Sequence, residues 1–394
     1  MIHQIAKFVE IIAATGAISG IAYNLLCLRS AASFLRAGQS AGAGASPTQP
    51  VSILKPLKGA DPEMYESFRS HCLQDYPEYE IIFGVSDGTD PAVAVVSQLK
   101  TEFPNREIRL IVCDQSLGAN VKVGNLAQMA SQARHEYLVV SDSDIRVGPN
   151  YLSLVVAPLR DPKTGLVTCL YRGIAAPSLG SRLESISIGT DFAPGVLAAR
   201  TVEGGIHFGL GSTLAFRRND LAATGGFESF ADYLADDYEL GKRISGSGLQ
   251  VLLSKEVVET LLPRYSFSEF IQHQLRWSRT VRGSRPWGFA GLIFTFALPW
   301  ALLAVLFSKG QSWGWTLACL ALCFRLSVAI VIGKRVLGDK IDLRLAWLIP
   351  LRDVLAVFIW IGSFLGNTIV WRGDRFGLRN GKLIRLSPRS NGST

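Results

Sequence analysis

Long apolar runs near both ends of the chain most constrain what it can fold into. The first extends from Ile11 to Leu28, and two more extend from Trp287 to Phe307 and from Trp313 to Gly333. A helix of about 20 apolar residues crosses the hydrocarbon core of a bilayer. The sequence therefore predicts an integral membrane protein with one early span and a later hairpin of two spans.

The position of basic residues favours an anchor over a signal peptide at the start of the chain. A signal peptide carries positive charge before its apolar stretch and ends at a cleavage site of small residues. Here Arg29 and Arg36 follow the apolar run, and no convincing cleavage site does. We therefore predict an uncleaved membrane anchor over residues 1–36 and a flexible Gly/Ser/Pro-rich linker over residues 37–50.

The last third of the chain leaves its topology open. Residues 287–371 are predicted to form a C-terminal membrane region, and residues 372–394 a basic tail. Leu345 to Val370 is apolar but contains Arg352 and Asp353, so it is either a fourth span preceded by an interfacial piece or a re-entrant segment. A simple fourth span would export the basic tail, against the positive-inside rule.

Charge and cysteine content narrow the partners and the compartment. The net charge is +8, but much of the basic excess lies beside apolar segments, which indicates membrane anchoring and no nucleic-acid partner. The six cysteines include no CxxC pair. We therefore expect reduced thiols that face the cytosol or the bilayer.

The middle of the chain has a different period from its ends. Over residues 51–265, short β-rich runs alternate with helical stretches, which predicts an α/β domain with a Rossmann-like, mostly parallel sheet covered on both faces. The predicted strands and helices of its first half are, in order, 51–54, 62–73, 79–86, 91–103, 107–113, 121–134 and 137–141. Ligands of such sheets bind outside the carboxyl ends of the strands.

Two carboxylates directly follow the last of these strands. Asp142 and Asp144, in the stretch SDSD, suit Mg²⁺ or Mn²⁺, which bridges a nucleotide-sugar diphosphate to one or two protein carboxylates. A polar turn without a metal is the alternative. Asp87 and Asp90 follow an earlier strand, where they suit a base or ribose but also the cap of the next helix.

Three further motifs carry polar or charged groups suited to binding or catalysis. Lys122 and Asn125 lie near a helix start and suit phosphate or base contacts; an exposed helix lysine is the alternative. Asp236 and Asp237 are adjacent acids, of which one is suited to be a general base, although both could cap a helix.

A predicted amphipathic interfacial helix over residues 266–286 contains the third motif. Arg276 suits a departing diphosphate and Trp277 the wall of an acceptor site. Arg279 and Arg282 share a face with Arg276 and could instead meet anionic lipid headgroups.

Together these motifs resemble those of the inverting, membrane-bound glycosyltransferases of the ceramide glucosyltransferase type, including bacterial hopanoid-associated relatives. The stretches that carry the resemblance are VSILKPLKGADP, SDGTDPA, GANVKVGNL, SDSDIRVGP, LADDYELGKRI and QHQLRW. The resemblance implies a GT-A-type domain in the cytosol, N- and C-terminal transmembrane helices, and a location in a bacterial inner membrane.

The resemblance also implies roles for individual residues. It assigns Asp237 as the catalytic base and Arg276 and Trp277 as further catalytic residues, and it assigns the metal to Asp142 and Asp144. Asp144 stands where some relatives have glycine, and His273 stands before Gln274 where glutamine is common. The residues expected to bind the nucleotide sugar are Lys58, Asp87, Asp90, Lys122, Asn125, Asp142 and Gln274.

The function expected from these motifs is transfer of a single sugar, favoured to be glucose, from a UDP-sugar to the hydroxyl of a lipid, favoured to be of the ceramide type. The enzyme alternatives are transfer of N-acetylglucosamine to a hopanoid lipid and processive polysaccharide synthesis. A non-enzymatic alternative is a membrane transport or scaffold protein, with Arg325, Arg352 and Asp353 marking a polar site inside the membrane.

Overall fold

The chain divides into two compact units in the computed structural model, which describes residues 1–37, 49–61, 63–339, 345–371 and 373–386. The helical unit consists of Met1–Gly38, Pro177–Gly204 and Arg264–Asn367. The sheet unit consists of Gln39–Ala176, Gly205–Pro263 and Thr368–Thr394. Most of the predicted linker, residues 38–48, lies outside the described residues.

The sheet unit is built on eight strands in the order β3-β2-β1-β4-β7-β6-β8-β5. The strands are β1 Val51–Pro56, β2 Tyr79–Val85, β3 Glu107–Val112, β4 Tyr137–Val140, β5 Ile145–Arg146, β6 Thr164–Ala175, β7 Leu214–Arg217 and β8 Gln250–Leu262. Its helices are α2 Met64–Cys72, α3 Ala92–Glu102, α4 Val121–Gln132, α5 Tyr151–Val156, α8 Arg218–Ala223 and α9 Asp236–Gly246.

The alternation of strand and helix predicted for the first half of this unit is confirmed. β1 and β2 are buried along their whole length, as strands in a sheet covered on both faces should be. β1 lies between β2 and β4, and Val51 is opposite Tyr79 on one side and Tyr137 on the other. The carboxyl ends of β1, β2, β3 and β4 therefore meet at one edge.

The second half of the sheet is mixed. β7 runs antiparallel to both β4 and β6, and β5 runs antiparallel to β8, whereas β6 and β8 are parallel. Four of the seven strand pairings are parallel, so the predicted mostly parallel sheet is confirmed.

A second sheet of three antiparallel strands is formed near the end of the chain. It consists of β9 Thr368–Trp371, β10 Asp374–Arg379 and β11 Lys382–Arg385, in the order β11-β10-β9. Asn380 and Gly381 connect β10 to β11 with positive φ angles of 51° and 77°, as an Asn-Gly hairpin turn requires. Part of the predicted basic tail thus forms two strands of the sheet unit.

The helical unit holds the apolar helices. Its elements are α1 Ile2–Arg36, α6 Leu179–Ser187, a π-helical turn Ile188–Phe192, α7 Ala193–Val202, α10 Phe267–Ser284, α11 Pro286–Gly291, α12 Ala297–Phe307, α13 Ser312–Ile330 with a π-helical extension Val331–Val336, and α14 Leu348–Phe364. Among the described residues, two helices are long and apolar enough to span a membrane, or three if the bent segment 286–307 is one span.

Small residues let α1 approach α12 closely. Gly16 and Gly20 form a GxxxG pattern, and a Cβ atom added at Gly20 would lie 2.5 Å from backbone atoms of Ala297. Ala17 and Ala301 are fully buried in the same cluster. Side-chain size therefore specifies this helix pair, which hydrophobicity alone cannot do between apolar helices.

The two units divide the chain differently from the sequence segments. Pro177–Gly204, inside the predicted domain of residues 51–265, groups with the helical unit. The apolar stretch from residue 345 to 370 is not one continuous helix, because α14 ends at Phe364 and β9 begins at Thr368.

Candidate active site

Lys122 joins two of the predicted acidic motifs. Its ammonium nitrogen lies 2.8 Å from Oδ1 of Asp142 and 3.1 Å from Oδ2 of Asp236. Asp142 follows β4, Asp236 begins α9, and Lys122 lies in the first turn of α4, which Asn120 caps by accepting a hydrogen bond from Val123 N–H. Although burial alone would lower the pKa of Lys122, the neighbouring carboxylates raise it, so the lysine is a fixed positive charge here.

Asp237 is held by backbone donors. Its Oδ2 accepts a hydrogen bond from Gly211 N–H at 2.7 Å, and its Oδ1 accepts one from Tyr238 N–H at 2.8 Å. Burial, followed by the negative charge of Asp236, raises the pKa of Asp237 to about 6. The adjacent acids therefore differ: Asp236 pairs with a lysine, and Asp237 is a fixed carboxylate of increased basicity.

Gly211 lies between two of the predicted acids. A Cβ atom at this position would lie 3.0 Å from Oδ2 of Asp142 and 3.4 Å from Oδ2 of Asp237. The structure thus places Asp142 and Asp237 against one glycine of the stretch GLGS. Sequence reasoning missed this glycine. Two glycines flanking a leucine in a short stretch are the signal that could have revealed this close approach.

We expect Gly211→Ala to lower the rate constant of the reaction about ten- to a hundredfold, because the methyl group displaces Asp142 by a few tenths of an ångström. Gly205→Ala is the matched control, since a Cβ atom there meets nothing within 4 Å. Steady-state kinetics and a melting curve of both variants test this. Equal rates in both variants would show that the acids tolerate displacement.

Asp144 has an environment different from that of Asp142. Its Oδ2 accepts a hydrogen bond from Thr260 at 2.5 Å, and its backbone carbonyl accepts one from Leu261 N–H. Burial and the charge of Asp142 raise the pKa of Asp144. Ser143, between the two acids, donates to Asp61 Oδ2 at 2.7 Å, so a further carboxylate that sequence reasoning missed lies beside this turn.

A buried lysine supports the same turn from β1. Lys55 is fully buried, and its ammonium group donates to the carbonyl oxygen of Asp142 at 2.9 Å and to Oγ of Ser141 at 3.3 Å. Burial lowers the pKa of Lys55 to about 7, although the carboxylates of Asp144 and Asp142 oppose that shift. A single lysine inside the apolar run VSILKP was the signal for this residue.

The first acidic motif organises the loop after β1. Asp90 accepts hydrogen bonds from Gly59 N–H, at 2.9 and 3.1 Å, and from Ala92 N–H at 2.9 Å. Asp87 bonds the backbone and the hydroxyl of Thr89. Asp90 therefore bonds the first residue of α3, whereas Asp87 closes a turn before that helix. The contacts predicted for both acids with a nucleotide stay predictions.

An open pocket lies where β2 and β3 end and α4 begins. It encloses about 320 Å³ of empty space, part of it open solvent. Asn125 lines it and accepts a hydrogen bond from Ser86 Oγ at 3.1 Å. The other lining residues are Cys113, Asp114, Gln115, Ser116, Leu117, Gly118, Val121 and Gly124. Polar groups at the carboxyl ends of parallel strands are the usual surroundings of a nucleotide.

The predicted residues of α10 lie in the helical unit. Gln274 is buried, and its amide group is bonded at both ends: Oε1 accepts from Arg352 at 2.9 Å and Nε2 donates to Glu184 at 2.6 Å. Trp277 packs against Phe192 and His273, with ring centroids 6.1 and 5.5 Å away. The roles predicted for Gln274, Arg276 and Trp277 stay predictions.

The residues available to a metal are oxygen donors. In the part of the chain that the structure describes, no three His, Cys, Asp or Glu side chains are grouped to hold a metal ion. Mg²⁺ usually binds one or two carboxylates together with substrate phosphates and water. Asp142 and Asp144 fit such a site, because a cation would stabilise the charged form of Asp144, which burial disfavours.

Comparisons with known proteins agree with this geometry. Residues 12–384 match the family described as Glycosyl transferase family 21. Ceramide glucosyltransferase 1 and ceramide glucosyltransferase 3 of Caenorhabditis elegans are each 26% identical to this chain, over 87% and 86% of it and 75% and 74% of their own lengths.

A solved structure shares the fold. The mannosyltransferase PcManGT from Pyrobaculum calidifontis, in complex with GDP-Man and Mn²⁺, superposes with a TM-score of 0.56 at 18% identity. The similarity covers 90% of this chain and 99% of that one. The predicted α/β class with a GT-A-type sheet and apolar helices toward both ends of the chain is therefore confirmed.

Proposed function

We propose, because this chain belongs to glycosyl transferase family 21, that it transfers one glucosyl group from UDP-glucose to the hydroxyl of a ceramide-type lipid with inversion at the anomeric carbon. The family match confirms the resemblance predicted from the motifs and makes the chain a glycosyltransferase. The donor, the lipid and the inversion are our proposal.

The observation that carries this proposal is the carboxylate of Asp237, which accepts hydrogen bonds from two backbone N–H groups. It lies beside Asp142 and Asp236, the two acids that pair with Lys122. Asp237 removes the hydroxyl proton of the acceptor as its oxygen bonds to the anomeric carbon. The bond from that carbon to the diphosphate breaks at the same time, and the electron pair leaves with UDP. One displacement on the face opposite the leaving group inverts the configuration and needs no sugar–enzyme bond.

The charge that develops on UDP needs a positive environment. Lys122, fixed between Asp142 and Asp236, supplies one such charge in the sheet unit. A divalent ion held by Asp142 and Asp144 would supply Lewis-acid stabilisation of the diphosphate when bound. The roles predicted for Arg276 toward the diphosphate and for Trp277 toward the acceptor stay predictions.

We expect the transfer rate to rise with pH through about 6 and then to level off, because Asp237 accepts a proton only when it is ionised and its pKa is raised to about 6. In the unfolded chain the pKa of Asp237 is near its ordinary value, which is lower than in the folded state. Between these two pKa values the folded state binds more protons than the unfolded state, so the stability of the fold falls as pH rises. A pH profile of kcat measures this. A flat profile from pH 5 to 8 would contradict the role of Asp237 as base.

A lipid acceptor is proposed because the chain carries apolar helices long enough to span a membrane and because its relatives are named ceramide glucosyltransferases. We propose a bacterial inner membrane with the sheet unit in the cytosol, where UDP-sugars are made. The test incubates membranes containing the full chain with UDP-glucose or UDP-N-acetylglucosamine and identifies the glycolipid by mass spectrometry.

That experiment also separates the alternatives. A glucosylated ceramide supports the proposal, whereas an N-acetylglucosaminyl hopanoid would replace both the donor and the acceptor. A polymeric product would indicate a processive synthase; among the described residues, however, at most three helical segments suit a span, and polymer channels usually need more. No product with either donor would contradict glycosyl transfer to these lipids.

A further inference from the structure

The three-stranded sheet of β9, β10 and β11, here called the C-terminal sheet, has a contact that the proposed mechanism does not use. Its edge strand β11 continues its pairing onto the segment Asp232–Leu234. Leu383 N–H donates to the carbonyl oxygen of Asp232 at 2.7 Å, and Leu234 N–H donates to that of Gly381 at 3.1 Å. Tyr233 and Lys382 face each other as an antiparallel pair. The segment Asp232–Leu234 is thus joined to the edge of this sheet by one antiparallel bridge.

This segment lies directly before the acids of α9. Leu234 is followed by one residue, Ala235, and then by Asp236 and Asp237. Two hydrogen bonds fix the backbone just before α9 begins. This limits where the side chains of the first residues of α9 can point. The edge of the C-terminal sheet therefore constrains the direction of both acids.

The other side of the same segment bonds to the start of α4. Asn120 Nδ2 donates to the carbonyl oxygen of Tyr233 at 2.7 Å, and Asn120 N–H donates to that of Ala231 at 2.7 Å. Asp232 Oδ1 accepts a hydrogen bond from Ala119 N–H at 2.9 Å. Two residues after Asn120, Lys122 reaches Asp142 and Asp236. The segment thus ties the lysine and the acids to one another through their backbones.

Apolar burial holds the segment in place. Leu234 lies in one cluster with Ile369, Phe376, Leu378 and Leu383, each of which is less than a tenth exposed. The ammonium group of Lys382 lies 5.2 Å from the ring centre of Tyr233. The C-terminal sheet also reaches the loop after β1, since Asp374 Oδ2 lies 3.8 Å from Lys58 Nζ.

We infer that the C-terminal sheet is a positioning element of the transfer reaction, which fixes Asp232–Leu234 at its edge and so aligns the α9 acids with Lys122. This inference rests on the proposed role of Asp237 as the base. The inference gives a function to residues that sequence composition identifies only as a basic tail. None of its own side chains is assigned contact with the reacting atoms.

Leu383→Asp tests the inference, with Ile384→Asp as the matched control. Leu383 is 4% exposed in the cluster, whereas its neighbour Ile384 is 48% exposed on the other face of β11. We expect Leu383→Asp in the full chain to lower kcat about tenfold or more, because misplaced reacting groups are costly. The KM for the donor should change less than about threefold, and Ile384→Asp should match wild type.

A reversible rescue separates positioning from loss of folding. Tyr233 and Lys382 face each other between two hydrogen-bonded neighbours, a pair type whose Cα atoms lie about 4.5 Å apart, within the range of a disulfide. We expect Tyr233→Cys/Lys382→Cys, once oxidised, to restore kcat in the Leu383→Asp background and to lose it again on reduction. Full activity of Leu383→Asp, or no recovery in the verified disulfide form, would overturn the inference.

Hydrogen exchange makes the test independent of the proposed reaction. Leu383→Asp should speed exchange of the amides of residues 232–238 and leave those of β1 and β2 unchanged. Unchanged exchange at 232–238 would refute positioning by this sheet even if no acceptor has been identified. If wild type shows no transfer but exchange responds as expected, the proposed function fails and the structural coupling stands.

Discussion

Asp237→Asn is expected to lower the rate constant for sugar transfer roughly 10³-fold, because the amide cannot accept the proton of the acceptor hydroxyl. The substitution keeps the shape of the side chain. Its carbonyl oxygen can still accept the hydrogen bond that Gly211 N–H donates to the native carboxylate at 2.7 Å, whereas its amide nitrogen cannot accept the one from Tyr238 N–H. We therefore expect the loss in kcat with a lower melting temperature but a folded protein, and little change in UDP binding. Transfer of radiolabelled sugar from UDP-glucose to lipid measures the rate.

Two further variants make that result specific. Glu228→Gln removes an exposed carboxylate of the same unit and should match wild type. Asp142→Ala removes an acid that pairs with Lys122. It should abolish transfer because the donor binds less tightly, so the affinity for UDP should fall as well. Wild-type rates in both Asp237→Asn and Asp142→Ala would exclude this acid site as the place of reaction.

The half of the sheet that the sequence predicted well is the half with local signals. β1, β2, β3 and β4 are short β-rich runs separated by helical stretches, so the alternation of the two patterns identifies them. The direction of β7 between β4 and β6 has no such signal, because antiparallel pairing depends on where a long connection returns. Sheet order after β4 was therefore beyond sequence reasoning.

The C-terminal sheet was missed for a related reason. Hydropathy joins residues 345–370 into one apolar stretch, but it cannot detect that α14 ends at Phe364 and that β9 follows. Its strands are short, and their buried apolar residues form one cluster with Leu234, which is distant in the sequence. The Asn380-Gly381 turn was the one local sign of a hairpin.

The sequence motifs identified the residues of the site better than they identified the residues to which these are bonded. Asp142 and Asp237 were both identified, and the structure brings them against the same glycine. Lys122 binds Asp142 and Asp236 at once. Sequence spacing could not predict this contact, because the three residues belong to separate elements. Gln274 shows the opposite case, because a motif typical of ligand binding is here bonded to Arg352 and Glu184.

The ionic residues within the helical unit raise the question of whether they form a transport site or a structural one. Arg325 on α13 donates to both carboxylate oxygens of Asp353 on α14, at 2.6 to 3.0 Å. It also bonds the carbonyl oxygen of Thr190 and a carboxylate oxygen of Asp191, each at 2.5 Å. Arg352 lies 3.2 Å from the other oxygen of Asp191. Two arginines and two aspartates thus balance in charge, which indicates a structural network.

We expect Arg325→Met to destabilise the folded protein by about 3–5 kcal/mol, because it leaves Asp353 buried with no opposite charge bonded to it. The double variant Arg325→Met/Asp353→Leu removes one charge of each sign and leaves Arg352 paired with Asp191, so it should be more stable than either single variant. Arg335→Met, an exposed arginine on the π-helical extension of α13, is the control. Thermal melting and transfer activity in detergent measure both effects.

The double variant decides between the two interpretations of this network. A structural network predicts that activity returns as stability returns, since the charges serve each other and no substrate. A transport or scaffold site that uses these charges predicts that function stays lost in the double variant, however stable the protein is. Loss of a few kcal/mol in Arg325→Met with recovery of transfer in the double variant would therefore assign the pair to helix packing and leave the chemistry to Asp237.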